Sequence, residues 1–311
     1  MLWAAHDGLV SGGGPGLATV LASWQSIGGC GASAGAGAGA GIKWIGRGVS
    51  GGLFSVQSQA FYTPLLSDPT KVEHHFLENT LISSDLTSSW NVGVGIPFAY
   101  KYMRDPYGLT TPEGAPIDLS NSGLGDISVQ NTFKLGAINA TALNLSLALP
   151  TGSYDVTYKR AYLRQHQQLG FGKVGGSVTL DHTLDEIWGL IVVGAAGAWR
   201  GGENSIGNYR APSASAWAYT GYFMGPLVPS VGLSLAGFDG HDRDRGQEEN
   251  TALYSASLQV SLEWSTDWIA FLLGAVVPYQ YDGVTVVDGQ PRSPWGMGPW
   301  ILSLGVSVAP F

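Results

Sequence analysis

The feature that most constrains this chain is how its apolar alternation is spaced. From residue 51 onward, segment after segment has a side-chain period of two, the signature of β-strands with one apolar face. In 89–102, Trp90, Val92, Val94, Ile96, Phe98 and Tyr100 share one face, opposite Asn91, Gly93, Gly95, Pro97 and Lys101. In 252–264, Leu258, Val260, Leu262 and Trp264 oppose Ser257, Gln259, Ser261 and Glu263. The same reading gives 12 strands: 51–63, 73–86, 89–103, 123–135, 138–150, 168–183, 186–200, 211–225, 227–238, 251–265, 267–281 and 298–311. Their connections alternate in length. After even strands they shrink to short turns near Thr87-Ser88, Gly136-Ala137, Leu184-Asp185, Pro226 and Thr266. After odd strands they run long, over 64–72, 104–122, 151–167, 201–210, 239–250 and 282–297.

Short turns on one rim and long loops on the other are the pattern of bacterial outer-membrane barrels, with the short turns periplasmic. A soluble sandwich has no reason to segregate its loops this way. An even strand count puts both chain ends on the short-turn side. The expectation is therefore all-β: a closed antiparallel transmembrane β-barrel of about 12 strands in the bacterial outer membrane, both termini periplasmic. Closure is required because no backbone N–H or C=O can stay unpaired in hydrocarbon. The competing reading is a soluble barrel with its apolar face turned inward around a cavity.

Composition agrees with the barrel. Charged residues are 12% of the chain, against about 25% in ordinary soluble domains. There are 46 Gly, 11 Trp, 13 Tyr and 10 Phe, yet mean hydropathy is only +0.10. The longest apolar stretches, Ile187 to Trp199 and Trp268 to Val277, fall short of the roughly 20 residues a spanning helix needs. A net charge of −8 argues against nucleic acid as a partner. Cys30 is the only cysteine, so no disulfide within the chain and no Cys-based metal or haem site can form.

Residues 1–50 lack strand periodicity. They are rich in Gly, Ala and Ser, including Gly35-Ala36-Gly37-Ala38-Gly39-Ala40-Gly41, and read as a plug, a linker or a partner-binding segment ahead of a barrel in 51–311. No Lys or Arg precedes Lys43, so a signal peptide with a basic start is expected outside this sequence. The end is irregular too: Phe311 is out of phase with the apolar face Trp300, Leu302, Leu304, Val306 and Val308.

The aromatics fall at two levels. Trp90, Trp188, Trp264 and Trp268 lie beside short turns, whereas Tyr62, Tyr100, Tyr102, Tyr222, Tyr279 and Tyr281 fall mainly near long-loop ends. Two girdles a strand apart suit rings that prefer headgroup level, which makes Trp90, Trp188, Trp264, Trp268, Tyr100 and Tyr279 membrane-interface candidates. By alternation the lumen receives Gln57, Gln59, Lys101, Asp126, Gln130, Lys134, Asn144, Lys173, Asp181, Gln259 and Glu263. Charges of both signs on neighbouring strands can pair and narrow an interior of this size, or line a selective path.

Two segments on adjacent strands carry a family resemblance: Gly123-Leu124-Gly125-Asp126-Ile127-Ser128, and Leu147-Ala148-Leu149-Pro150-Thr151-Gly152-Ser153-Tyr154. The pair resembles the outer-membrane transporter family named for the meta-pathway of phenol degradation. Trp90 to Pro97 followed by Phe98 resembles that family's preceding strand. The match covers about 85–155. It implies a barrel and the passage of small molecules, aromatic ones among them, and it lends no binding residues.

Catalytic readings find little purchase. His74, His75, His166, His182 and His241 make no local pairing with Ser of the kind a nucleophilic site needs. The densest charge cluster, Asp239 to Glu249, has spaced carboxylates, but Arg243 and Arg245 occupy the interleaved positions. It reads as a solvated loop tip rather than a calcium loop. No cofactor and no metal are expected. Two functions stay open: a channel or transporter for small solutes, hydrophobic or aromatic ones among them, or an anchoring barrel of a larger assembly with 1–50 as its plug or partner contact. The expected surroundings are outer-membrane lipid, lipopolysaccharide and the barrel-assembly machinery.

Overall fold

The computed structural model describes residues 54–68, 71–87, 89–104, 118–135, 141–158, 161–163, 168–266, 269–287, 290–292 and 301–308. In chain order the strands are β1 Ser55–Asp68, β2 Lys71–Thr87, β3 Trp90–Arg104, β4 Asp118–Leu124, β5 Ser128–Leu135, β6 Thr141–Ala148, β7 Thr157–Tyr158 and β8 Ala161–Tyr162. There follow β9 Gly175–Glu186, β10 Gly189–Arg200, β11 Ser213–Tyr222, β12 Leu227–Asp244, β13 Gln247–Ser265, β14 Ile269–Val287, β15 Gln290–Arg292 and β16 Ile301–Val308. The segment 1–50 and Phe311 lie outside the described residues.

Every wall strand pairs antiparallel with its neighbours, and β1 pairs β16 through Val56↔Val308 to Tyr62↔Leu302, which closes the sheet. With β4 and β5 counted as two pieces of one broken stave, the wall is a closed barrel of 12 staves. All 12 expected strands are present. Among the described residues the ladders run continuously around the barrel from β1 back to β16, as hydrocarbon demands.

The orientation of the faces rejects the soluble reading. Val94, Phe98, Leu233, Leu235, Leu258, Val260, Leu262, Leu273, Leu302 and Leu304 all point outward and are exposed. Gln57, Gln59, Ser83, Gln130, Ser146, Ser177, Ser257, Gln259, Ser303 and Ser307 point inward and are buried. An outer surface this broadly aliphatic is stable only against lipid.

Three expectations are corrected. The strand expected at 123–135 is interrupted at 125–127, giving β4 and β5. The connections at 239–250 and 64–72 are not irregular loops. β12 and β13 continue pairing to Asp244↔Gln247, and β1 and β2 to Asp68↔Lys71. The segment Asp239 to Glu249 contains no apolar side chain. The hydrophobic period stops there although the pleat does not. Its two-residue turn, Arg245 at φ 53° and Gly246 at φ 78°, is the left-handed pair that matches hairpin twist.

Candidate functional site

The lumen is the candidate site, and the phase of each strand fills it. Gln57 and Gln59 of β1, Lys101 of β3, Gln130 of β5, Asn144 of β6, Asp181 of β9, and Gln259 and Glu263 of β13 all face inward and are buried, as is Asp126 at the break. Lys134 sits at the short-turn end of β5, half-buried. Lys173 is corrected: it precedes β9, which begins at Gly175 rather than 168, because Gly172 turns the chain at φ 76°.

These side chains are nearly dry. Gln259 and Glu263 are each 1% exposed, Thr179 is fully buried, and Lys101 is 4% exposed. A wide water column would leave such groups wet. Several of them bond across strands, whereas Gln57 Oε1, Asn144 Oδ1 and Gln259 Nε2 are buried without a hydrogen-bond partner among the described residues. Gln59 Nε2 donates to Ser303 Oγ (2.8 Å), Asn144 Nδ2 to Thr132 Oγ1 (2.7 Å), and Trp217 Nε1 to Asp181 Oδ1 (3.0 Å).

One inward feature was missed. Trp217 and Tyr219 of β11 point into the barrel and cluster with Leu190 and Ala196, against Val192, Phe223 and Ala236. Both rings recline on the wall. A Cβ on Gly194 would lie 2.6 Å from the Trp217 ring, and one on Gly232 only 1.7 Å from Tyr219 Cδ1. The signal was available: Ser213 and Ser215 share the face of Trp217 and Tyr219, and the opposite face is Ala214, Ala216 and Ala218. In this strand the serines, not the rings, mark the lumen.

The described residues of the connection between β6 and β9 pack against lumen-facing Lys101 and Asp126 in the long-loop half. They form a strap, with β7 pairing β8 at its tip. Gln168 staples the strap internally: Nε2 donates to the carbonyls of Val156 and Leu163, and Oε1 accepts from the N–H of Val156. The Lys101 ammonium reaches from β3 to the Gln168 carbonyl. Asp126 Oδ1 accepts from the N–H of Gly152 (3.1 Å) and Oδ2 from that of Phe171 (3.0 Å). Arg200, at the end of β10, places a nitrogen 3.6 Å from Asp126 Oδ2 and its guanidinium 5.7 Å from the centre of the Phe171 ring. Neither Arg200 nor Gln168 was among the expected lumen residues. Arg200 is in phase with the inward face of β10, whereas Gln168 lies off any strand and carries no phase.

Aromatic rings stand at two levels of the outer surface. Trp90 stacks on Phe133 (6.1 Å, 13°), Trp264 packs against Phe271 (5.6 Å), and Trp188 sits exposed beside β10. At the other level Tyr62, His74, Tyr102, Phe76 and Tyr100 form a ring-to-ring chain with centroids 4.8 to 6.1 Å apart. Trp268 lies outside the described residues, and Tyr279 belongs to β14 with its side chain outside the description. Tyr222 is corrected: it pairs with Gly189 at the short-turn rim.

A closed wall with an outward-facing aliphatic surface defines a transmembrane β-barrel of the bacterial outer-membrane type. No family model and no curated protein matches the sequence. Among solved structures, the chain is similar to the toluene transporter TodX of P. putida at 9% identity and a TM-score of 0.47, over 95% of this chain and 98% of that one. It is also similar to the transport unit of the autotransporter AIDA-I from Escherichia coli (10%, TM-score 0.46, 87% and 93%) and to the NanC porin (11%, TM-score 0.44, 81% and 98%).

Proposed function

We propose that this barrel passes small hydrophobic or aromatic solutes across the outer membrane, with its short turns and both termini on the periplasmic side. The observation that carries the reading is the inward aromatic patch of Trp217 and Tyr219, with Leu190, set in an otherwise polar lumen. An aqueous pore is lined by polar groups throughout. A patch of rings lying flat on the inner wall gives an apolar solute a surface to slide on, with the Asp181 carboxylate beside it for a polar substituent. The resemblance of 85–155 to the phenol meta-pathway transporters supports the same solute class.

The dry interior favours a second reading, a sealed anchoring barrel. The two separate on uptake of the aromatic probe N-phenyl-1-naphthylamine by intact cells. Expression of the barrel raises the uptake rate, and combined Trp217→Ala and Tyr219→Ala lowers the gain while the barrel still folds. No gain with wild type, together with no conductance in planar bilayers, identifies the sealed anchor.

A further inference from the structure

A barrel whose inward side chains are buried passes solute only if something moves, and the wall shows where. β5 is paired on both edges, to β3 through Trp90↔Phe133 to Gly95↔Ser128 and to β6 through Ser128↔Ala148 to Leu135↔Thr141. β4 pairs β3 alone. On its other side β6 ends at Ala148, and β9, which starts at Gly175, pairs no higher than that residue. Among the described residues the hydrogen-bonded wall is interrupted above the level of Ser128, and the described part of the strap fills the gap.

The filling is by backbone and small polar groups, not by a strand. Leu149 N–H donates to Ile127 O (2.8 Å), Ile127 N–H to Thr151 Oγ1 (2.8 Å), and Thr151 Oγ1 to Gly125 O (3.0 Å). Gly125, Gly152 and Gly170 touch backbone to backbone. A Cβ on Gly152 would meet Gly125 C and Gly170 Cα at 2.8 Å, and one on Gly170 would meet Gly152 O at 2.4 Å. The two segments singled out in the sequence, Gly123 to Ser128 and Leu147 to Tyr154, are therefore the two sides of this one contact. Asp126 pins it, holding strap N–H groups on both sides of β7 and β8, Gly152 before them and Phe171 after.

We propose that the strap, the described part of 149–174, is the gate of the barrel, and that Asp126, a positioning residue, is the pin that holds it shut with Arg200. The inference rests on the transport reading above and deepens it. Closed, the strap covers the break between β4 and β9. Released from Asp126, it leaves the long-loop half of the lumen open at that break. The pin suits a gate: two strap N–H groups and one guanidinium converge on a single carboxylate, so the loss of one group loosens both ends of the strap together.

The test uses the full-length barrel in planar bilayers with KCl, amide hydrogen exchange of Gly152 and Phe171, and N-phenyl-1-naphthylamine uptake. Asp126→Asn keeps the side-chain shape but removes the charge facing Arg200. Gly152→Ala keeps every charge and wedges the backbone contact, so it serves if the first variant fails to assemble. Both should speed exchange at the two amides and raise conductance and uptake about tenfold, the change in open population that a tenfold weaker closed state gives. If exchange speeds but conductance and uptake stay at the wild-type value, the strap is not the gate. The same holds if wild type and variants pass the probe at one common rate, and the transport reading then survives alone. If nothing permeates wild type or either variant, both inferences fall.

Discussion

β5 and β4 lie on one stave of the barrel and obey different constraints. β5, in the short-turn half, is held by ladders on both edges, and its place is set by the need to leave no backbone group unpaired in lipid. β4, toward the long-loop rim, has one ladder among the described residues, and the backbone at the break below it bonds to strap residues Leu149 and Thr151. The first arrangement follows from the solvent and tolerates many sequences. The second depends on particular residues, Asp126, Thr151 and three glycines, and a single change can undo it.

The sharpest break in the comparison is a charge on the outer wall. Leu304 of β16 is 61% exposed and faces Leu273 across the ladder, well inside the apolar band. Leu304→Arg should cost about 2–4 kcal/mol of folding stability in vesicles, whereas Ile187→Arg, in the short turn between β9 and β10, should cost about 0–1. Denaturant unfolding of the two variants in the same lipid measures the difference. Equal costs would mean that the membrane does not sit where the girdles place it.

That contrast also explains what the sequence made legible. The lower barrel could be read strand by strand because lipid outside and polar lumen inside impose a period of two. Trp90 to Tyr100 and Leu258 to Trp264 show it without interruption. The strap could not be read so. Gln168, 2% exposed, is buried by stapling its own loop rather than by phase. The polar hairpin at Asp239 to Glu249 was missed because strand geometry there continues without any apolar face. Trp217 and Tyr219 were missed for the opposite reason: in β11 the larger apolar residues face inward, so ranking faces by hydrophobicity inverts them. Asp126 is buried at the break, and its partners come from 26 and 45 residues away in the chain, a pairing no strand phase could show.

The glycine beds test the lumen itself. Gly232→Val puts a branched side chain where Tyr219 lies, since even a Cβ would be 1.7 Å from that ring. Forcing the ring off the wall should cost about 1–3 kcal/mol, the usual range for overpacking, and should lower uptake of the aromatic probe as the ring enters the passage. Stability falling without a change in uptake would place Tyr219 outside the route. In the water-exposed hairpin the effect should be smaller and local. Gly246→Ala sets a Cβ at φ 78° and should cost about 1 kcal/mol. It should appear as faster amide exchange around 243–249 and leave global unfolding in lipid unchanged.

The smallest effect separates two ion pairs that look alike on paper. Arg200 and Asp126 have side chains 7% and 4% exposed, whereas Arg243 and Glu203, at 2.9 Å, are 48% and 42% exposed. The exposed pair is the shorter, yet water screens it, and it is not alone in holding its loop. Tyr209 and Arg243 also exchange backbone hydrogen bonds, and Asn208 Oδ1 accepts from the N–H of Arg245 at 2.7 Å. Glu203→Gln should therefore cost about 0.2–1 kcal/mol at low ionic strength, and the difference should vanish in 1 M salt, where the screening length falls to about 3 Å. Asp126→Asn should keep its effect on amide exchange at Gly152 and Phe171 in the same salt, because its partners are shielded from ions by the strap they hold. If salt erases both effects alike, the contact at Asp126 is wet, and the distinction between the two halves of the stave is one of geometry rather than of burial.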